Sequence, residues 1–458
     1  MLWTLLALFR VVPPNIDDLF FIGPAWQLAL DGSFIHPWLH LESPPFLAHG
    51  FHLQPPFYSY VLAGWLMVFG LSTSSLLLFH AACGLAVSLA IGRLFHRFQR
   101  PLRYAYLLVI AYVGWAAFQG LRQDSLAMVF LSMGILVLTV DTPARWFGGS
   151  LLLGAAVGTS SIQIAYVLPA FTALAALHLH AARPHRRYLL VRGAGILLAA
   201  GLLLLLFLGC IRFQWGDFWH DFRVHAGFRR PPAGIPYYLS MLTSQWRWLT
   251  DLPVTVLFLG CVGIGLLRWR QITFAQRALC LALPGALLLN VFIYAPTFVS
   301  LNLICCTGLL GLLGAGFVRP NLSRLGFAGL CALLALNQSL FWLRTLAVKP
   351  PDGAQVQTIR QQVASHPERL YAIDHAAARH VFDYQFPPHT LAWDFLYFQP
   401  HEPLASMKQK ASGQVWIVAR SNLGSMVSDS GMDFPRVKLL GRTLRSMPAE
   451  PYDFVMVE

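Results

Sequence analysis

LLVRGAGILLAAGLLLLLFLGCI, residues 189–211, contains one charged residue, Arg192, and no proline. A helix needs about 20 predominantly apolar residues to cross a bilayer, and this stretch is long enough. Similar apolar runs between charged residues give about eleven candidate spans along the chain. The others lie at 1–12, 57–92, 104–118, 125–140, 146–158, 162–179, 252–267, 278–294, 298–318 and 325–346. The sequence therefore predicts a mainly α-helical, polytopic transmembrane bundle.

Two of these runs have unusual lengths. Residues 1–12 are too few for a full span, which suggests either a helix that enters at an angle or a start upstream. The run 57–92 is longer than one span requires, so we expect an interfacial helix over 57–69 followed by a span over 74–92.

The composition agrees with a membrane protein. Hydrophobic residues make up 56% of the 458 residues and charged residues 12%, whereas about 25% of an average soluble domain is charged. The formal net charge is +13, but the basic residues punctuate apolar runs, so nucleic acid is not expected as a partner. All 7 cysteines lie in apolar stretches without a CxxC pair, which favours packing roles over redox or metal roles.

The loops between the spans separate into two alternating sets. One set carries 14 Lys and Arg residues and the other carries 6, and basic loops are retained on the cytoplasmic side. The poorly basic set comprises mainly 13–56, 119–125 and 212–251, and it is predicted to face away from the cytoplasm. The loop 212–251 is an exception, because it holds 5 of those 6 basic residues.

The composition becomes that of a soluble segment after residue 348. We therefore divide the chain into a transmembrane domain, 1–348, and a small extracytoplasmic α/β domain, 349–458. The predicted elements of the second domain are strands at 369–373, 414–419, 437–440 and 452–457 and a helix at 376–384.

An acidic pair stands at the start of the first outer loop. Within PNIDDLFFIGPAWQLALDGSF, residues 14–34, Asp17 and Asp18 lie at the predicted edge of the bilayer. Two adjacent carboxylates there are costly unless they are solvated, paired or used, which makes them site candidates. A structural alternative is that they cap a helix over 19–30 by accepting its free backbone N–H groups.

Two further outer segments carry polar groups beside the membrane. In the first, Pro55 and Pro56 precede an aromatic helix, since proline is tolerated in a first helical turn. His49 and His52 are three residues apart but have no third ligand at convincing spacing, so no metal site is assigned. In the second, Arg122 and Asp124 share a tight loop, and a neutralising salt bridge is the alternative to a site.

The loop 212–251 combines basic and aromatic residues. Its candidates for binding an anion are His220, Arg223, His225, Arg229 and Arg230. The aromatic residues could lie along an isoprenoid chain. The alternative is an interfacial segment that binds the acidic head groups of membrane lipids.

In their order and spacing, these segments resemble the GT-C class of integral-membrane glycosyltransferases, specifically the protein-mannosyltransferase and aminoarabinose-transferase (family 39) group. The resemblance covers mainly the first 140 residues. The matching residues, in chain order, are Asp17, Asp18, Ala25, Gly32, Pro55, Pro56, Phe57, Tyr58, Phe69, Gly70, Gly120, Arg122 and Asp124.

The resemblance implies transfer of a sugar, with inversion, from a polyprenyl-phosphate donor to a lipid, glycan or protein acceptor. Asp17 would be the general base, with Asp18 supporting it. Arg122, His225, Arg229 and Arg230 would bind the donor phosphate, and Asp124, Gln54 and Tyr58 would bind substrate. Many members have Lys or Glu directly before the double proline, where this chain has Leu53 and Gln54.

The chemistry of the residues agrees with this interpretation. A carboxylate can accept the proton of an attacking hydroxyl or amine, and arginine can stabilise a departing phosphate. A divalent cation is left open as a cofactor, because the carboxylate pair could act with or without one. By the resemblance, the expected location is a bacterial inner (plasma) membrane, with the active site on the periplasmic side.

Two other classes of function are considered. A transporter or flippase of lipid-linked saccharides would also have many spans and a basic, aromatic groove, but such proteins usually carry ionisable groups near mid-bilayer. A scaffold that binds a partner through its outer α/β domain is the third class.

Overall fold

The computed structural model describes most of the chain. The described residues are 17–38, 50–97, 121–182, 186–228, 236, 239, 247–272, 274–293, 351–387, 390–392, 415–419 and 454–457, together with nine positions between 325 and 339. The predicted spans at 1–12, 104–118 and 298–318 and the predicted strand at 437–440 lie outside these residues.

The described part of the chain is mainly helical. Its helices are α1 (Asp17–Asp31), α2 (Phe57–Phe69), α3 (Thr73–Arg97), α4 (Asp124–Leu138), α5 (Pro143–Thr159), α6 (Ile164–Ala182), α7 (Arg186–Cys210), α8 (Trp215–Phe228), α9 (Arg247–Leu267), α10 (Phe274–Ile293), α11 (Gly353–Ser365) and α12 (His375–His380). A 3₁₀ turn, Ser161–Gln163, precedes α6. The predicted division of 57–92 into two helices is confirmed by α2 and α3.

Three helices among the described residues are long and apolar enough to cross a membrane: Thr73–Leu94, Ser161–Ala181 and Arg186–Cys210. Shorter apolar helices are Phe57–Phe69, Asp124–Leu138, Leu252–Leu267 and Cys280–Leu289. On α7 the side chains of Leu197 and Leu198 are 74% and 65% exposed. An apolar surface of that kind is unfavourable in water and favourable in the hydrocarbon of a bilayer.

A small sheet lies in the C-terminal part of the chain. Strands β1 (Tyr371–Ile373), β2 (Thr390–Ala392), β3 (Val415–Ala419) and β4 (Phe454–Val457) pair in the order β2-β1-β3-β4. Strand β1 is parallel to β2 and β3, whereas β4 is antiparallel to β3. Three of the four predicted strands therefore correspond to β1, β3 and β4, and the predicted helix at 376–384 is the shorter α12.

Helix α11 was not predicted, although its sequence carries two signals of a helix. The Asp352 side chain accepts a hydrogen bond from the Ala354 backbone N–H and caps the first turn. Val356, Ile359 and Val363 are buried on one face, because residues three, four and seven apart share a helix face.

Two clusters of buried apolar side chains hold these elements together. The first joins α1, α2 and α3 to the C-terminal elements, with Phe20, Leu62, Ile359 and Ile373 among its members. The second joins α3, α4, α5, α9 and α10. The C-terminal elements therefore pack on the helix that begins with the acidic pair.

Helices α4 and α5 pack closely because glycines lie between them. A Cβ atom on Gly134 would lie 2.8 Å from Leu153 Cδ2 and 3.1 Å from the Leu153 backbone nitrogen. A Cβ atom on Gly149 would lie 2.8 Å from Leu138 Cδ2 and 3.3 Å from the Gly134 carbonyl oxygen. Small residues of this kind allow close approach of helices in membranes.

Gly149→Ala is expected to lower the free energy of unfolding by about 1–3 kcal/mol, because the added methyl group overpacks this contact. The matched control is Gly148→Ala, since a Cβ there would meet nothing within 4 Å. That control should be neutral or stabilising by up to about 1 kcal/mol, as alanine is the better helix former. Unfolding in detergent micelles measures both; equal effects of the two variants would contradict the packing argument.

Candidate functional site

Asp18 joins three distant segments of the chain. It lies in the first turn of α1 and is 1% exposed. Its Oδ1 accepts a hydrogen bond from the Leu121 backbone N–H at 2.8 Å, and the Tyr384 hydroxyl donates to its Oδ2 at 3.4 Å. Capping of its own helix, the structural alternative raised above, does not account for these contacts.

Tyr58 connects the start of α2 to the same loop. Its hydroxyl donates to the Leu121 carbonyl at 3.1 Å and lies 3.2 Å from His80 Nε2. His80 Nδ1 in turn lies 2.6 Å from the Ser125 hydroxyl, which donates to the Arg122 carbonyl at 3.0 Å. Tyr58 and His80 are 1% and 3% exposed, so this network fixes the 121–125 loop from within the protein.

Arg122 and Asp124 form the ion pair that the salt-bridge alternative requires. Arg122 Nε donates to Asp124 Oδ2 at 3.0 Å, and the two side chains are 18% and 10% exposed. The Ser160 hydroxyl donates to Asp124 Oδ1 at 3.3 Å, which holds the carboxylate against the end of α5. The guanidinium lies 5.7 Å from the centre of the Phe21 ring. Asp124 thus orients Arg122 above the first turns of α1.

Gln54 and His225, predicted separately from two outer loops, are in direct contact. Gln123 Nε2 donates to Gln54 Oε1 at 3.1 Å, so the amide nitrogen of Gln54 faces His225 Nε2 at 2.9 Å. An amide nitrogen only donates, so His225 Nε2 accepts and the ring proton lies on Nδ1. The imidazole, 6% exposed, is stacked on Phe20 with 5.4 Å between ring centres.

A buried histidine–aspartate contact lies beside this pair. His52 Nδ1 is 3.7 Å from Asp221 Oδ2, and both side chains are 2% exposed. His220 Nδ1 lies 3.1 Å from Asp221 Oδ1. His49 is outside the described residues, and the residues that the structure describes contain no group of three His, Cys, Asp or Glu side chains able to hold a metal ion.

A turn in the C-terminal part of the chain contacts the connection between α2 and α3 and the side chain of Asp18. Asp383 and Tyr384 have φ angles of 52° and 63°, in the left-handed region that non-glycine residues rarely adopt. Asp383 Oδ1 accepts from the Thr73 backbone N–H at 2.9 Å, and Gln385 Nε2 donates to the Leu71 carbonyl at 2.9 Å. Burial raises the pKa of Tyr384 well above its ordinary value, and the neighbouring Asp18 charge raises it further. Tyr384 is therefore a neutral donor to Asp18.

Six of the nine predicted site residues belong to one connected region of the described structure: Asp18, Gln54, Tyr58, Arg122, Asp124 and His225. Asp17 is the first residue of α1, but its side chain is not among those that the structure describes. Arg229 and Arg230 also lie outside the described residues. Sequence reasoning did not assign a site role to His80, Gln123, Ser160, Asp221 or Tyr384.

Some of these omitted residues carried a local signal. Gln123 directly precedes Asp124 within the same motif. Tyr384 carried none, because its partner Asp18 lies far away in the chain. Asp221 adjoins the candidate His220, but its contact with His52 links two distant segments. No family model matches the chain, and no curated protein matches it.

Proposed function

We propose that the chain is an integral-membrane glycosyltransferase that moves a sugar from a polyprenyl phosphate to an acceptor with inversion. The observation that supports this most is the convergence of Asp18, the Arg122–Asp124 pair and the Gln54–His225 pair. These groups come from the three loops that are predicted to face outward, the first two of which contain the motifs of the resemblance. A carboxylate and a guanidinium in one polar region are the groups that such a transfer requires.

In the proposed reaction, an acceptor hydroxyl or amine attacks the anomeric carbon of the sugar. The bond from the acceptor atom to that carbon forms as the bond from carbon to phosphate oxygen breaks. Asp17 takes the acceptor proton, and polyprenyl phosphate leaves with the bonding electron pair. A single displacement at the anomeric carbon inverts its configuration.

Asp18 is proposed as the positioning carboxylate rather than the base. The Leu121 backbone N–H and the Tyr384 hydroxyl donate hydrogen bonds to its carboxylate, and Asp18 is only 1% exposed. This fixes the first turn of α1, from which Asp17 would act. Arg122, oriented by Asp124, would stabilise the departing phosphate, together with Arg229 and Arg230.

The proposed location follows from the loop charges and the resemblance. The chain would have about eleven spans in a bacterial inner membrane, with this polar region on the periplasmic side. The C-terminal elements would form an extracytoplasmic domain, and their packing on α1 supports placing them at the same end as Asp18.

The purified full chain in proteoliposomes tests the function directly. With polyprenyl-phosphate monosaccharides and an extract of envelope lipids and glycans, we expect time-dependent release of polyprenyl phosphate and labelling of an acceptor. If the labelled donor only equilibrates between the two leaflets and no polyprenyl phosphate is released, the protein is a transporter rather than a transferase. Heat-treated protein provides the background rate.

A further inference from the structure

Arg379 is a buried cation that the proposed reaction does not use. It lies on α12, which packs between β3 and α1, and it is 2% exposed. Its neighbours Ala376, Ala377 and Ala378 are also buried and offer no polar side chain. In the part of the chain that the structure describes, Nε, Nη1 and Nη2 of Arg379 have no hydrogen-bond partner.

A buried guanidinium without a hydrogen-bond partner is strongly unfavourable. Arginine stays protonated at any ordinary pH, so it cannot escape the cost of burial by losing its charge. Buried charges in proteins are paired, and removing the partner of a buried charge is severely destabilising. The buried guanidinium of Arg379, with its five N–H donors, therefore requires an anion to accept its hydrogen bonds.

The charge of Arg379 acts on Tyr384, a residue of the candidate site. Burial and the Asp18 carboxylate raise the pKa of Tyr384, whereas the Arg379 guanidinium acts to lower it. Tyr384 is the residue whose hydroxyl donates to Asp18. The turn at Asp383 and Tyr384 is fixed by hydrogen bonds to the α2–α3 region, so the end of α12 is held beside α1.

We infer that Arg379 binds the phosphate group of a lipid-linked ligand, at the contact between α12 and the first turns of α1. Phosphate suits the position because its oxygens match the planar fork of a guanidinium and can accept two parallel N–H bonds. The choice of a lipid-borne phosphate rests on the proposed function, in which the donor carries one. The C-terminal part of the chain then contributes directly to ligand binding.

The test is thermal unfolding of the purified full chain in a non-ionic, phosphate-free detergent solution. The added probes are inorganic phosphate, polyprenyl phosphate and the uncharged polyprenol. Polyprenyl phosphate at about 100-fold excess over its Kd should raise the wild-type Tm by about 3 °C, whereas polyprenol should not. Without ligand, Arg379→Met should be at least as stable as the wild type, and polyprenyl phosphate should raise its Tm by clearly less than it raises that of the wild type.

Two further variants separate charge from structure. Arg379→Lys keeps the positive charge but loses the planar guanidinium that can donate two parallel hydrogen bonds. The Tm rise of this variant with polyprenyl phosphate should therefore be smaller than that of the wild type. Arg369→Met removes an exposed arginine of the same region and should behave as the wild type. A shift with inorganic phosphate but not with polyprenyl phosphate would overturn a lipid-borne ligand.

Other outcomes would overturn the inference itself. A ligand-free Arg379→Met protein that is clearly less stable than the wild type would show that the guanidinium has a partner within the protein. An equal Tm rise in wild type and variant, or no rise with any probe, would also exclude phosphate binding at Arg379. Because the Tm does not depend on turnover, Arg379-dependent binding without sugar transfer would refute only the proposed function. Sugar transfer by the wild type, together with equal Tm rises in the wild type and Arg379→Met, would refute only this inference.

Discussion

Replacing Asp17 by asparagine is expected to lower the rate of sugar transfer by about 10²- to 10⁴-fold, which is the usual contribution of a general base. Asparagine has nearly the size of aspartate, but its amide does not accept a proton at neutral pH. The acceptor would then have to lose its proton to water. The initial rate of polyprenyl-phosphate release in proteoliposomes, at equal amounts of reconstituted protein, measures the effect.

Asp31→Asn is the matched control for Asp17. Asp31 ends the same helix, is exposed, and accepts hydrogen bonds from Gln27 and Ser33. Its replacement should leave the transfer rate within about twofold of the wild type, as expected for a surface change distant from the chemistry. An Asp17→Asn protein with the wild-type rate and the wild-type Tm would remove Asp17 from the role of base.

The positions of the apolar helices could be predicted from the sequence because their signal is local. Charged residues interrupt the apolar runs, so α4, α5, α7 and α10 begin and end within a few residues of the predicted limits. Even the break between α2 and α3 could be predicted from length alone. What a run cannot reveal is whether its helix contacts lipid or protein.

Helix α8 was missed although a helical pattern is present. The segment mixes acidic, basic and aromatic residues, so it was interpreted as a basic loop. Its aromatic residues nevertheless stand at i, i+3, i+4 and i+7, the spacing of one helix face. They are Trp215, Phe218, Trp219 and Phe222, which are stacked along the helix.

The candidate site was predictable only where its residues belong to recognisable motifs. The contacts of Asp18 with Leu121 and Tyr384 span 103 and 366 residues of the chain. Such contacts depend on how the helices pack, and packing is decided by many weak interactions that no single motif encodes. The contact of Tyr384 with Asp18 also requires two left-handed residues in succession, Asp383 and Tyr384. Non-glycine residues rarely adopt this conformation, although aspartate does so more often than tyrosine.

Arg122→Gln is expected to lower kcat/KM for the donor by about 10²-fold, the usual effect of removing one group that stabilises developing charge. The ion pair with Asp124 is largely buried, since the two side chains are 18% and 10% exposed. Removing one partner of a buried pair is destabilising by about 3–5 kcal/mol. The Tm should therefore fall by a few degrees, and the rates are compared below the Tm of both proteins. The measurement is the transfer rate as a function of donor concentration, with the Tm of the same preparations.

The double variant Arg122→Gln, Asp124→Asn separates the two roles that remain for this arginine. If Arg122 only neutralises Asp124, removing both charges should restore kcat/KM to within about threefold of the wild type, because the two changes would then compensate. If Arg122 stabilises phosphate, the double variant should be as impaired as Arg122→Gln alone. Asp124→Asn alone should then cause a smaller loss, since it removes the group that orients the guanidinium but leaves its charge in place. Recovery in the double variant would assign the pair a structural role and leave the departing phosphate to the arginines of the 212–251 loop and to Arg379.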